Sequence, residues 1–253
     1  AAKNYIIETN RVRKEFGALV AVANVSIYVR PETIHSIIGP NGAGKTTFFN
    51  LLSGNLDPTS GQVFFKGRDI TRLPLHWTTH LVMLRSFQIT NIFPNLTVLE
   101  NIRLACQALG SHNFRSLNFH RHFPQYEERA WEVIHQVGLV DEALAPARTL
   151  PPGGQRKLEL GIILAPDPEV LLLDEPTAGM AAEQVPDLIS LIQNVQRKGN
   201  KTVMLVEHNM NVVMSVSDTI TVMHQGRVLA EGDPGEIAAN EEVQTAYLGG
   251  LYQ

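Results

Sequence analysis

The sequence predicts an α/β fold on a mixed, largely parallel sheet, with an antiparallel β portion at its N-terminal end and a helical segment inserted mid-chain. Three observations predict it. From residue 155 to residue 223, helix-like and strand-like patterns alternate, as in parallel sheets with crossover helices. An apolar run at 34–38 ends in a glycine-rich turn and leads into a helical pattern at 48–52. The rest of the chain up to residue 86 reads mostly as strands and turns.

Each element follows from its local pattern. Residues 22–29 alternate apolar with small or polar side chains, and 61–70 read as a hairpin turning near Lys66-Gly67. Helical spacing appears at 97–110 and 124–137, whereas 111–123 is poorer in pattern. Prolines and glycines break the chain at 146–154. Beyond the break come a helix at 155–164, a strand at 170–173, a helix at 184–198, a strand at 202–206, a helix at 210–217 and a strand at 219–223. Arg197-Lys198-Gly199 reads as a helix C-terminus, where cations and glycine are both favoured. No internal repeat or low-complexity tract is apparent.

Composition limits the function. The 253 residues are 44% hydrophobic and 18% charged, ordinary values for a folded protein with a core. The net charge is −4, which lacks the basic excess that duplex nucleic acid requires. The single cysteine, Cys106, excludes a disulfide framework and fits a reducing compartment. The apolar runs are far shorter than the roughly 18–20 residues of a membrane span, and residues 1–5 show no signal-peptide pattern. Work at a membrane would therefore need another chain to cross it.

Two motifs carry chemistry. Gly39-Pro40-Asn41-Gly42-Ala43-Gly44-Lys45-Thr46 matches G-x-x-x-x-G-K-[ST] between a strand and a helix. Glycines let the backbone N–H groups and the helix N-terminus wrap a phosphate. Lys45 would reach the β- and γ-phosphates, and the Thr46 hydroxyl would ligate Mg²⁺. The apolar strand Val170-Leu171-Leu172-Leu173 ends in Asp174-Glu175. A buried strand brings Asp174 to the carboxyl edge of the sheet to hold the metal, and leaves Glu175 to accept a proton from an attacking water. Read alone, the first motif could be a glycine turn with an incidental lysine, and the second a solvated strand end.

With these residues in place, the whole chain resembles the ATP-binding subunits of ABC transporters. Residues 39–47, Thr47 included, look like the Walker A segment, and Arg85-Ser86-Phe87-Gln88 resembles the Q-loop. Leu173-Asp174-Glu175-Pro176-Thr177 matches Walker B with its glutamate, and Val206-Glu207-His208 matches the switch histidine. Several stretches look closest to the ATPases of branched-chain amino acid uptake: 85–88 with 92–100, 176–180, and 207–210 with 225–234 and 246–249. The resemblance implies a P-loop NTPase core that binds ATP and Mg²⁺. Its parts would be a nucleotide-binding core with an antiparallel β subdomain (1–88), a helical subdomain ending at the signature (89–154) and the rest of the core (155–253). Gln88 would join Thr46 and Asp174 at the metal and sense the γ-phosphate. His208 would orient the Glu175–water pair, and Phe16, with Val22 beside it, would meet the adenine; stacking is worth about 1–3 kcal/mol. On their own, Gln88 and His208 are ordinary surface residues, and Phe16 is equally a core residue.

One segment departs from the family. The signature Leu-Ser-Gly-Gly-Gln falls on Leu150-Pro151-Pro152-Gly153-Gly154-Gln155, and in either register a proline replaces the serine. In the family, two ATPase subunits sandwich ATP head to tail, and the signature (here Gly153 and Gly154) touches the nucleotide on the opposite subunit. Proline offers neither a hydroxyl nor an N–H; each lost charge-directed donor would cost roughly 1.5–3 kcal/mol. Ala181 also stands where the family carries Asp or Asn. The alternative is a tolerated variant, since proline suits a first helical turn. The other ATP-site residues are intact, which points to an asymmetric pair whose better-hydrolysed ATP is the one held by this chain.

The resemblance further implies a homo- or heterodimer on the cytoplasmic face of the inner membrane, docked on permease subunits around residues 90–100 and served by a periplasmic solute-binding protein. The alternatives are a soluble ABC ATPase of translation or repair, or a nucleotide-binding module that scarcely hydrolyses. The histidine pair His76 and His80 and the cluster His112, His120 and His122 lack an accompanying acid or cysteine at suitable spacing and read as solvated faces, and Trp77 and Trp131 read as packing residues.

Overall fold

Two sheets carry the fold in the computed structural model, which describes residues 5–73, 83–85, 92–108 and 124–249. The N-terminal sheet is antiparallel. It comprises β1 (Ile7–Phe16), β2 (Leu19–Val25), β3 (Tyr28–Val29), β5 (Ser60–Phe65) and β6 (Arg68–Asp69), in the order β2-β1-β5-β6 with β3 also paired to β1. The second sheet has β4 (Ile34–Ile38) at its heart, in the order β11-β10-β4-β9-β8-β7. The partners are β7 (Met83–Arg85), β8 (Val170–Asp174), β9 (Thr202–Val206), β10 (Thr219–His224) and β11 (Arg227–Gly232). All its pairings are parallel except β10 with β11.

The helices are α1 (Lys45–Leu52), α2 (Val98–Ala108), α3 (Pro124–Val137), α4 (Pro152–Leu164), α5 (Val185–Gly199), α6 (Met210–Val216), α7 (Pro234–Ala239) and α8 (Glu241–Gly249). The central strands β4, β8 and β9 are buried at every position because both faces are covered, and most of their side chains are apolar. Leu171, Leu173, Val203 and Leu205 face a cluster built from α2, α3, α4 and α5, including Ile102, Val133, Leu158 and Leu188. Val170, Leu172, Met204 and Val206 face the opposite cluster, with Phe48 and Phe49 of α1 and Val12 and Val25 of the antiparallel sheet. Phe48 and Phe49 are fully buried, each contributing roughly 1.5–3 kcal/mol by transfer from water. Trp131 is half-buried against the helical cluster, as a packing residue should be.

Several boundaries differ from the sequence reading by one to three residues, and two of them have a clear local cause. The expected break at 146–154 holds a short 3-10 turn (Ala147–Thr149), and α4 starts at Pro152 instead of residue 155. A proline at the first helical position loses only an N–H that has no intrahelical partner, and its fixed φ already suits the helix. At the end of α5, Asn200 takes the left-handed conformation (φ 49°), and Gly199 is still helical. Arg197 and Lys198 occupy the last turn as expected. Residues 74–82, 86–91 and 109–123, which include Gln88, Trp77, His76, His80, His112, His120 and His122, lie outside the described residues.

Candidate functional site

β4, β9 and β8 are neighbours and run parallel, so the segments leaving them emerge at one edge of the sheet. The loop after β4 is held against backbone on both flanks. A Cβ on Gly39 (φ +150°) would lie 2.1 Å from the Met223 carbonyl oxygen, and one on Gly44 (φ +97°) 2.4 Å from that of Ala21. Glycine alone fits these two positions. The turn joining β10 to β11 braces the loop: Gly226 N–H donates to the Ala43 carbonyl at 3.0 Å, and Ala23 N–H to that of Gly226 at 2.7 Å. Sequence reading gave this turn no part in the site.

Lys45, the first residue of α1, is only 6% exposed. Its Nζ donates to the Gly39 and Pro40 carbonyls at 2.7 and 3.0 Å. Burial lowers its pKa, while the carboxylates of Glu175 and then Asp174 oppose the shift. A lysine so placed exchanges carbonyl partners for phosphate oxygens at little cost in ordering. Asn41, Gly42 and Thr46 are exposed, Pro40 and Thr47 half-buried, and Ala43 buried.

β8 ends at Asp174, 4% exposed. Glu175 then adopts φ +49°, a left-handed conformation that costs a glutamate about 1–3 kcal/mol. Two backbone bonds hold it there: its N–H donates to the Val206 carbonyl at 2.8 Å, and its own carbonyl accepts from Ala178 N–H at 3.0 Å. The strained turn directs the carboxylate at His208, whose Nε2 lies 2.8 Å from Glu175 Oε1. Because a carboxylate only accepts, Nε2 carries the proton. Asn209, next in the chain, is the N-cap of α6, and its side chain accepts from Asn211 N–H and Val212 N–H.

Other predicted residues are placed as follows. Phe16 is 48% exposed at the end of β1, with Lys14 Nζ 5.3 Å from its ring centre. It is not a core residue, and one ring face already carries a cation. Val22 is fully buried in the sheet-facing core, which leaves its side chain no surface to offer a nucleotide. Pro151 is the N-cap of α4 with no side-chain hydrogen bond, and Gln155 N–H closes the first turn on its carbonyl. Gly153 is buried against the Gln184 side chain, and Gly154 is half-buried. Arg156 ties α4 to the turn after Glu175, donating to the Ala178 carbonyl at 3.1 Å. Ala181 caps a short 3-10 turn without a side-chain bond. In the segment expected to meet membrane subunits, Phe93 and Leu96 are exposed, whereas Ile92 and Leu99 pack on the core.

A loop with the phosphate-loop pattern and a carboxylate–histidine pair thus share one edge of the sheet, and a family model for ABC transporters matches residues 22–178. The chain belongs to the ABC transporter family. A second model, for branched-chain amino acid ATP-binding cassette transporters, matches residues 227–251. Among ABC proteins the chain is 39% identical to the high-affinity branched-chain amino acid transport ATP-binding protein LivG of Salmonella typhimurium, over 96% of this chain and 98% of that one. It is likewise 39% identical to BraF of Pseudomonas aeruginosa, described as a high-affinity branched-chain amino acid transport ATP-binding protein, with the same coverage. Among solved ABC structures it resembles the cassette MJ1267 in its ADP conformation (TM-score 0.86, 29% identity, 97% of this chain and 99% of that one). It also resembles the dimeric, post-hydrolysis cassette MJ0796 bound to ADP and Pi (TM-score 0.76, 25% identity, 90% and 98%).

The ABC cassette also contains a group to which the sequence reading assigned no role. Glu207, 3% exposed, accepts hydrogen bonds from both the segment after β8 and the segment after β9. Its signal was an acid at the exit of an apolar strand, the pattern that singled out Asp174-Glu175.

Proposed function

We propose that this ABC ATPase powers the uptake of branched-chain or related amino acids as a nucleotide-binding subunit of an importer. The match of residues 227–251 to the branched-chain cassette model, together with 39% identity to LivG and BraF over nearly the full length, supports that assignment. ATP would bind along 39–47, with Lys45 on the terminal phosphates and Phe16 offering its free face to the base. Gly153 and Gly154 of each subunit would face the nucleotide held by the other. The buried Asp174 and the exposed Thr46 hydroxyl offer hard oxygen donors that fit Mg²⁺, and by the family resemblance Gln88, outside the described residues, would join them. Magnesium, when bound, neutralises phosphate charge.

The carboxylate–histidine pair supports hydrolysis. A water oxygen attacks the γ-phosphorus, Glu175 takes its proton, and the bond to the bridging oxygen breaks to release ADP. His208, donating from Nε2, keeps Glu175 on the line of attack. Two ATPase subunits, identical or different, would close around ATP, and the helical segment 89–154 would pass the motion to permease subunits through Phe93 and Leu96. The complex would sit on the cytoplasmic face of the inner membrane and receive solute from a periplasmic binding protein. Among the described residues no helix is long and apolar enough to cross a membrane.

Expressed with its membrane partners, the chain should co-purify with them and drive ATP-dependent accumulation of labelled leucine in membrane vesicles. A chain that hydrolyses ATP but neither co-purifies with integral membrane proteins nor supports uptake is instead a soluble ABC ATPase. The unbonded Pro151 cap favours a second reading, an asymmetric pair in which this chain's signature serves its partner's ATP poorly.

A further inference from the structure

We infer that Glu207 is a positioning residue for hydrolysis: its buried carboxylate locks the Glu175 turn to the His208 turn and so sets their 2.8 Å contact. β8 and β9 are in register as far as Asp174 and Val206. The last backbone bond between the two segments is Glu175 N–H to the Val206 carbonyl. Past that point the ladder stops and the chains turn apart. Glu207 replaces the ladder. Its Oε1 accepts from Thr177 N–H at 3.0 Å and from the Thr177 hydroxyl at 2.6 Å, two residues beyond Glu175. Its Oε2 accepts from His208 N–H at 3.0 Å.

Every donor on this carboxylate is a backbone N–H or a hydroxyl of a catalytic turn, and the group is buried where such charge-assisted bonds are strongest. The link reaches further. The turn that starts at Thr177 continues to Ala178, whose carbonyl accepts from Arg156 on α4. Glu207 therefore joins the histidine turn to the helix that carries the signature.

The geometry dictates the test. Glutamine has the same size, but both oxygens of Glu207 face fixed N–H donors. Whichever way the amide is turned, its NH₂ opposes one of them, so Glu207→Gln breaks the lock without leaving a cavity. Steady-state ATP turnover of the full chain should then fall roughly ten- to a hundredfold in kcat, because catalytic groups lose orientation. The KM and the affinity for a fluorescent ATP analogue should stay within about twofold, because Lys45 and its loop are untouched.

If Glu207 acts through His208, then adding Glu207→Gln to His208→Ala should change the single-turnover rate by less than about twofold. Equal losses in both backgrounds, an unchanged kcat, or a loss that tracks nucleotide affinity would each overturn the inference. Thr177→Val, which removes only the hydroxyl bond, tests the same link should Glu207→Gln melt below the assay temperature. It should lower kcat with KM kept, and an unaltered kcat refutes the role. The inference rests on the hydrolytic reading above. A wild-type chain without ATP turnover sinks both, whereas an active wild type with an equally active Glu207→Gln sinks only this one.

Discussion

Single side chains in this cassette are held in arrangements that isolated residues avoid. Glu175 sits at positive φ, Lys45 is buried under its own loop, and His35 is 1% exposed inside the central sheet. His35 illustrates how neighbours decide protonation. The Thr221 hydroxyl donates its one hydrogen to Glu231 Oε2 at 2.7 Å, so it accepts from His35 Nε2, also at 2.7 Å. Burial first, and then Arg30, lower the His35 pKa from 6.5 to about 4. A base depressed in the fold binds its proton more readily when the chain unfolds, so the stability it confers is intact above pH 6.5. That stability is lost progressively as pH falls towards 4, at a maximum cost of about 3 kcal/mol. Thermal melting between pH 7 and pH 4 should show this decline, and His35→Gln should flatten it. Parallel profiles for the two proteins would show that His35 does not drive acid lability.

Elements were most legible where burial is two-sided. The runs at 34–38 and 202–206 are mostly apolar, interrupted by His35 and Ser36 in the first and opened by Thr202 in the second, and both are strands with those bounds, because a strand covered on both faces is buried from end to end. α3 also has its expected bounds, with Ala130, Val133, Ile134 and Val137 forming its buried stripe. The start of α4 was misread because Pro-Pro-Gly-Gly resembles a break, and only the fixed φ of Pro152 makes it a first turn. Val22 was expected beside the adenine from the family resemblance alone, and alternation along its strand tells two faces apart without saying which of them is buried.

The same element carries a prediction. Serine at the N-cap of α4 would accept from the open first turn and add about 1 kcal/mol, so Pro151→Ser should raise the melting temperature by roughly 2–4 °C. It should also raise ATP turnover of the dimer by restoring a donor to the opposing nucleotide. Unchanged turnover would mean that the proline is a tolerated variant.

At the scale of the whole molecule, the parallel sheet gathers residues distant in sequence. Lys45, Asp174, Glu175 and His208 come from the ends of three adjacent strands and were recognisable because each lies in a contiguous motif. The role of Glu207, though it lies in the same motif as His208, was not, because it depends on Thr177, 30 residues away, and no local pattern records that contact. The Gly226 turn under the phosphate loop was hidden for the same reason. The fold thus supplies rigid backbone on the flanks of the loop, a strained turn that aims one carboxylate, and a second carboxylate that fixes the turn. In the proposed function all three would serve a triphosphate along 39–47 whose attacking water meets Glu175. The most direct measurement compares magnesium-dependent ATP turnover and nucleotide binding in the wild-type chain and in Glu175→Gln. The substituted chain should bind ATP as tightly as the wild type while its turnover falls by about 10²-fold or more, the usual contribution of a positioned general base. Wild-type turnover in Glu175→Gln, or no magnesium-dependent nucleotide binding by either protein, would contradict the account.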